Sequence, residues 1–369
     1  MNTIIVQLDA RSYPIMIGSG LIHNMSRYLE SDAPAERYFC VADSAVEQTH
    51  ASACRESLQK PSEVFVFEAK ESKKTIDTLE KIWSKMLANN CTRKVPLLAI
   101  GGGIVGDVAG FAASTFMRGV PLIQVPTTLL AMVDASVGGK TAINMPLSQA
   151  SGATFLGKNL AGAFWQPQLV VADVDTLQTL DNRQFSCGIA ECVKHALLGH
   201  PELFDWIESH ISELIARDTD SLIELVTQCV KIKARVVEKD EREMGCRALL
   251  NLGHTFAHVI EPLRELSLFH GEAVAIGLCA AMSCAEASGY SSVHSVDRVR
   301  TLLEEFDLPT RLPIPIPASA LLELMRKDKK AVGGEITLIL PIGINAEIVE
   351  GIDESIIALA WASVGAAIS

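Results

Sequence analysis

Three of the chain's nine histidines sit close together, in Leu250-Asn-Leu-Gly-His254-Thr-Phe-Ala-His258-Val-Ile-Glu261 and the following Phe269-His270-Gly-Glu272. Gathered imidazoles suit a metal ion or a phosphate group. His254 and His258 are four residues apart, so on a helix they share one face and can address one small object. His270 arrives from a separate turn. The zinc-hydrolase motif that uses this spacing requires a glutamate directly after the first histidine, and here that position is Thr255. That hydrolase chemistry is therefore excluded.

Other segments carry complementary groups. Gly188-Ile-Ala-Glu191-Cys-Val-Lys194 places a carboxylate and an ammonium at i and i+3 on a helix that is otherwise apolar. Such a pair is either a surface ion pair or the polar lining of a cleft. Glu191 can add a hard oxygen ligand to two histidines, which is the open donor set of catalytic zinc. Lys233, Arg247 and Asn251 can hold carboxylate and phosphate oxygens, Arg247 with a two-pronged grip. Lys327-Asp-Lys329-Lys330 is a solvated run or a further anion clamp.

Leu98-Ala-Ile-Gly101-Gly102-Gly103-Ile-Val-Gly106-Asp107 reads as a strand entering glycines and then a helix. Such a turn lets backbone N–H groups approach a pyrophosphate, although a plain strand-to-helix turn has the same composition. Gly138-Gly139-Lys140-Thr141 resembles the end of a Walker phosphate loop, but the first glycine of that motif would fall on Asp134. Lys140 fits better as a point charge for a phosphorylated substrate.

Elements that position these groups follow from periodicity. Met1 to Leu8 alternates like a first strand, with no basic leader ahead of an apolar core. Tyr38–Ala42, Val64–Phe67, Leu97–Ile100 and Leu122–Val125 read as strands, with Thr75–Leu87 as an amphipathic helix between two of them. Strand and helix in alternation imply a doubly wound, mainly parallel sheet of Rossmann-like type. After about Asp181 the pattern changes to long amphipathic segments: Phe185–Leu198, Glu202–Arg217, Ser221–Glu238, the histidine helix and Gly271–Ser288. The expected division is an α/β domain over 1–180 and a mainly α-helical metal- and substrate-binding domain over 181–369. Ile336–Leu340 reads as a late strand without a place.

Composition narrows the function. The 369 residues are 49% hydrophobic and 21% charged, ordinary for a globular chain of two domains. With 32 Lys and Arg against 44 Asp and Glu, the net charge of −12 argues against nucleic acid or an anionic membrane as partner. An anionic substrate must meet a local basic pocket. The nine cysteines are scattered without a Cys-x-x-Cys pair and read as reduced, buried thiols of a cytoplasmic protein. Apolar runs such as Ala273–Cys284 are too short to span a membrane.

Taken in chain order, Gly101–Asp107, Arg118–Asn144, Lys158-Asn159-Leu-Ala-Gly-Ala-Phe164, Gly188–Lys194, Asp240–Glu261 and His270-Gly-Glu272 closely resemble the 3-dehydroquinate synthase family, among the sugar-phosphate cyclases. The likeness spans nearly the whole chain. It implies a carbon–oxygen lyase that uses NAD and Zn2+, with Co2+ as a substitute, on a small phosphorylated sugar acid. The implied reaction turns 3-deoxy-D-arabino-heptulosonate 7-phosphate into 3-dehydroquinate and phosphate. Its steps are transient oxidation by NAD, phosphate elimination, re-reduction, ring opening and aldol closure.

The same resemblance implies residue roles. Glu191, His254 and His270 would hold the metal, leaving His258 for the substrate phosphate. NAD would meet Asp43, Glu71, Lys74, Gly102, Gly103, Asp107, Thr127, Thr128, Lys140, Lys158, Thr176, Leu177 and Thr179. Substrate and catalysis would engage Asp134, Lys140, Asn159, Lys194, Lys233, Arg247, Asn251, His258 and one of Lys329 or Lys330. Arg118 would reach across a homodimer. The stretch Pro146–Gly157 is longer than the family's usual form and is expected to be an enlarged surface loop.

Overall fold

The computed structural model describes residues 1–148, 154–330 and 336–368, with side chains for all of these except 148, 154–156 and 328–330. The chain forms two compact units, Met1–Leu180 with Leu222–Arg242, and Asp181–Ser221 with Glu243–Ser369.

The first unit is built on a seven-stranded sheet. Its strands are β1 (Asn2–Val6), β2 (Tyr13–Gly18), β3 (Tyr38–Asp43), β4 (Ser62–Phe67), β5 (Leu97–Gly101), β6 (Leu122–Pro126) and β9 (Leu169–Asp173). Their order is β1-β2-β9-β6-β5-β3-β4, parallel throughout except for the β1–β2 pair. A fully covered parallel sheet needs strands apolar on both faces, and β5, β6 and β9 are buried at every position. Within β3, Cys40 and Ala42 face one apolar layer with Met25 and Leu29 of α1 (Met25–Asp32) and Cys54 of α2 (Ser52–Glu56). Phe39 and Val41 face the other, with Leu79 and Ile82 of α3 (Ile76–Ala88) and Val105 and Val108 of α4 (Gly103–Thr115).

This order places a topological switch between β3 and β5. From β3 the chain steps outward to β4, then returns past β3 to β5 and continues the opposite way to β6 and β9. Ligands of doubly wound sheets bind at the carboxyl ends of the strands flanking such a switch. Asp43 ends β3 and Gly101 ends β5, so the candidate nucleotide residues lie where topology directs them.

The expected loop over 146–157 is instead largely a hairpin. β7 (Lys140–Ser148) and β8 (Thr154–Phe164) pair antiparallel from Lys140↔Phe164 to Ser148↔Thr154, with a register shift between Ile143 and Met145. Only 149–153 of that stretch lie outside the described residues. Small and polar side chains hide the strands, because here pairing rather than alternation defines them.

The second unit is mainly helical: α5 (Asn182–Leu197), α6 (Pro201–Ser209), α7 (Ile211–Ile215), α9 (His254–Ile260), α10 (His270–Ala287), α11 (Val296–Glu305), α12 (Ala318–Lys330) and α13 (Glu354–Ser363). Between α7 and α9 runs α8 (Thr219–Lys239), most of which belongs to the first unit. The single helix expected over 202–217 is broken at His210, whose φ of −122° leaves the helical region between α6 and α7. The late strand is real: β10 (Leu338–Ile342) pairs with β11 (Asn345–Val349) as an antiparallel hairpin. No helix among the described residues is long and apolar enough to cross a membrane. All nine cysteines are free, and eight are buried.

Candidate active site

In the first unit the glycine turn opens a helix amino end. Gly101 has φ +156°, and a side chain there would press on Val105, with Cβ 2.7 Å from its Cγ2. Gly102 is the N-cap of α4 and offers no side-chain cap, which leaves the first N–H groups of a thirteen-residue helix to an anion. A Cβ on Gly102 would sit 3.2 Å from Thr128 Cγ2, and Thr127 N–H donates to the Gly101 carbonyl at 3.0 Å. Gly102, Gly103, Thr127, Thr128 and Asp43 are thus gathered at the carboxyl ends of β3, β5 and β6. Asp43 accepts from the N–H of Ala45 at 3.1 Å and of Ala69 at 3.3 Å.

A second group lies beside it. The Lys74 ammonium is 4% exposed and donates to Asp107 at 2.5 Å and to the Asn159 side chain. Desolvation raises the Asp107 carboxyl above the usual carboxylate range, and the charge of Lys74 offsets this only in part. Asn144, which spacing did not mark, ties these residues together. Its amide donates to Glu71 Oε1 at 2.8 Å, its oxygen accepts from Asn159 N–H at 2.9 Å, and its N–H donates to the Lys74 carbonyl at 2.8 Å. Nothing in the one-dimensional pattern around Asn144 signals this.

Lys233, on α8, donates to both the carboxylate and the carbonyl of Asp134. Lys233 also acts electrostatically on Asp107, which sets the Asp134 pair near the Lys74 group. Lys140 and Lys158 are exposed on β7 and β8, Lys140 following two glycines with φ of +93° and +68°. Arg118 is exposed on a turn where Met117 and Arg118 both have positive φ, +48° and +69°. Residues held in this sparsely populated region store strain that clusters at functional positions. Thr176 and Leu177 are buried, the Thr176 hydroxyl being spent on the Asp173 carbonyl at 2.8 Å. Thr179 is exposed and bonded to His50 Nε2 at 2.7 Å.

In the second unit, ligand atoms of Glu191, His254 and His270 lie within 4.8 Å of one another. Glu191 comes from the middle of α5, His254 opens α9 and His270 opens α10. Oε1 of Glu191 is 3.5 Å from His254 Nε2 and 3.3 Å from His270 Nε2. The other ring nitrogens are turned away onto acceptors. His254 Nδ1 is 3.2 Å from the Leu252 carbonyl, and His270 Nδ1 is 3.4 Å from Glu261 Oε1. Metal-ligating histidines have such partners, which orient the ring and fix the tautomer.

His258, one turn further along α9, is exposed and stands edge-on to His254 at 5.5 Å between ring centroids. It is outside the three-ligand set. Glu261 was the missed member of the group. It is seven residues from His254, two helical turns along the same face, and that spacing was the available signal.

Electrostatics keep the carboxylate of this cluster ionised. Glu191 is fully buried and Lys194, 1% exposed, pairs with it. Burial favours a neutral carboxyl, but Lys194, His254 and His270 overcome it and hold Glu191 well below the usual carboxylate range. Burial likewise lowers His270, yet its bonds to Glu191 and Glu261 push it up to about 10. In the same unit, Arg247 is 1% exposed, and Asn251 donates to Glu243 at 3.2 Å. Lys329 is the penultimate residue of α12, and its side chain lies outside the described residues.

The fold of a doubly wound α/β unit followed by a helical unit is shared with solved sugar-phosphate cyclases. A 2-epi-5-epi-valiolone synthase from Streptomyces hygroscopicus, solved with NAD+ and Zn2+ bound, is 26% identical, covers 99% of both chains and superposes with a TM-score of 0.85. A 2-deoxy-scyllo-inosose synthase complexed with carbaglucose-6-phosphate, NAD+ and Co2+ shares the fold, with a TM-score of 0.86 at 24% identity over 98% of this chain and 99% of that one. Family models narrow this further: residues 64–187 match the 3-dehydroquinate synthase N-terminal model and 188–331 the C-terminal one. A 3-dehydroquinate synthase of Aliivibrio fischeri is 41% identical over 363 residues, 97% of this chain and 98% of that one. The chain belongs to the 3-dehydroquinate synthase family.

Proposed function

We infer that the protein converts 3-deoxy-D-arabino-heptulosonate 7-phosphate into 3-dehydroquinate and phosphate, using NAD and a divalent metal, Zn2+ or Co2+. The observation that carries this reading is the largely buried Glu191–His254–His270 cluster in a member of the family that aligns with a relative over 97% of its residues. Its donor set fits a catalytic metal, with one carboxylate and two oriented imidazoles leaving positions open for substrate. The uncapped start of α4 at the strand-order switch fits the pyrophosphate of NAD. When bound, these groups supply Lewis acidity toward substrate hydroxyls and a reversible store for hydride.

The chain's own residues orient and charge the reactants. Lys194 keeps Glu191 ionised and offers the cluster a fixed positive charge. On the helical unit, Arg247 and Asn251 suit carboxylate and phosphate oxygens, and exposed His258 suits the departing phosphate. On the α/β unit, Lys140, Lys158 and Asn159 present donors on the hairpin, and Asp134 steers Lys233 toward a substrate hydroxyl. Asp43, Glu71, Lys74, Asp107, Thr127, Thr128 and Thr179 are assigned to NAD. Homodimerisation is part of this reading: strained, exposed Arg118 neighbours apolar Met117 and lies by the hairpin that exposes Leu160 and Phe164. The reading also places the protein in the cytoplasm.

The test is to incubate the protein with the heptulosonate phosphate, NAD+ and Zn2+, and to follow phosphate. Release that stops on chelation and returns with zinc supports the assignment; no release from active reagents overturns it.

A further inference from the structure

One face of α5 carries a stripe, Arg183, Cys187 and Glu191, at i, i+4 and i+8. Each member meets the first turn of α10, the turn that begins with His270. Arg183 makes a forked pair with Glu272, Nε to Oε1 at 2.5 Å and Nη2 to Oε2 at 2.7 Å. The same guanidinium donates to the Ser267 carbonyl at 2.7 Å and lies 3.9 Å above the Phe269 ring. Glu272 Oε2 in turn accepts from the Phe269 N–H at 2.7 Å, closing the turn around His270. One helical turn along, the Cys187 thiol faces the N–H groups of Gly271 and Glu272. Gly271 is packed so closely there that a Cβ would collide with the Cys187 backbone and lie 2.6 Å from Cys187 Cβ. One turn further, Glu191 meets His270 itself at 3.3 Å.

We propose that Arg183, acting through Glu272, is a positioning residue that sets His270 against Glu191 and thereby tunes the metal centre. The inference rests on the metal reading of that cluster. Arg183 touches neither ligand, but it holds Ser267, Phe269 and Glu272, which bracket His270, onto the helix that supplies Glu191. Only an arginine reaches all of these at once, because its planar fork grips the carboxylate with two bonds while its face stacks on a ring.

The experiment measures Co2+ affinity by chelator competition, together with the visible spectrum of bound Co2+, in the full chain. The variants are Arg183→Ala, Arg183→Lys, Glu272→Gln, the Arg183→Ala/Glu272→Gln double, and His254→Ala. Removing an outer partner of a metal ligand weakens metal binding about 10–100-fold. Arg183→Ala and Glu272→Gln are expected to fall in that range with an altered spectrum, Arg183→Lys to lie between them and wild type, and the double to be no worse than the weaker single. A purely structural role would lower the melting temperature of the metal-free protein and leave affinity and spectrum unchanged. Wild-type affinity and spectrum in Arg183→Ala, beside loss of binding in His254→Ala, would overturn the proposal while sparing the metal site. Equal binding by wild type and His254→Ala would overturn both. If Arg183→Ala does not fold, Glu272→Gln carries the same comparison.

Discussion

Replacing Glu191 with glutamine isolates what the buried charges contribute. Glu191 and Lys194 are 0% and 1% exposed, so glutamine leaves the Lys194 ammonium in the interior without its carboxylate. His270, charged at pH 7 because its pKa is pushed up to about 10, loses the same partner. Glutamine keeps the volume, so no cavity adds to the effect. Breaking a buried pair by neutralising one member costs about 3–5 kcal/mol. At about 2–4 °C per kcal/mol for a unit of 150–250 residues, the melting temperature should fall by roughly 6–20 °C. The assay is calorimetry at pH 7 with chelator in every sample, so that lost metal binding cannot contribute. That pH is inside the working window: a depressed carboxylate pKa gives stability that is present above the unfolded value and lost only as pH falls through the folded one. The double variant Glu191→Gln/Lys194→Met should recover most of the loss, since a neutral pair of similar volume carries no unpaired charge. A Glu191→Gln protein that melts with wild type, or a double variant no better than the single, would refute the argument.

Three further expectations follow from the geometry. His258→Ala should keep zinc but lose most turnover, whereas His254→Ala should lose both; equal zinc loss, measured by metal content after gel filtration, would undo the division of roles. Lys74→Met should weaken NAD+ binding by about 10–100-fold, the value of a lost charge-assisted hydrogen bond of about 1.5–3 kcal/mol, and unchanged affinity by calorimetric titration would remove Lys74 from the nucleotide site. Because His270 is raised to about 10 in the metal-free protein, its stabilisation is full below the unfolded histidine value and fades as pH rises through about 10. Zinc binding at pH 8 should therefore release about one proton, detectable by titration in buffers of different ionisation enthalpy, and no release would contradict the charged His270.

The parts legible in the sequence were those whose physics is local. Strands β3, β5 and β6 are buried on both faces, so each reads as a mainly apolar run, interrupted only by Gln124 in β6 and ended by Asp43 in β3. The ligand-bearing helices announce themselves by periodicity, and His254 and His258 share α9 as their spacing requires. What was illegible depends on partners distant in sequence. Strand β2 contains Pro14, which weakens its pattern, and it becomes a strand by pairing with β1 and with β9, more than 150 residues on. The break at His210 has no proline or glycine to mark it. Asn144 looks like any polar residue after Ala142 and Ile143, and its role lies wholly in hydrogen bonds to Glu71, Lys74 and Asn159. The pairing of Arg183 with Glu272 joins residues 89 apart.

The most direct measurement of the central claim is a turnover experiment with zinc-loaded protein, excess heptulosonate phosphate and limiting NAD+. Phosphate, 3-dehydroquinate and NADH absorbance are followed together. The account predicts equal amounts of phosphate and 3-dehydroquinate, many of each per NAD+, and no accumulation of NADH, because the hydride taken from substrate is returned. NADH rising in step with substrate consumed, without phosphate release, would contradict it and mark the protein as a dehydrogenase on the same architecture.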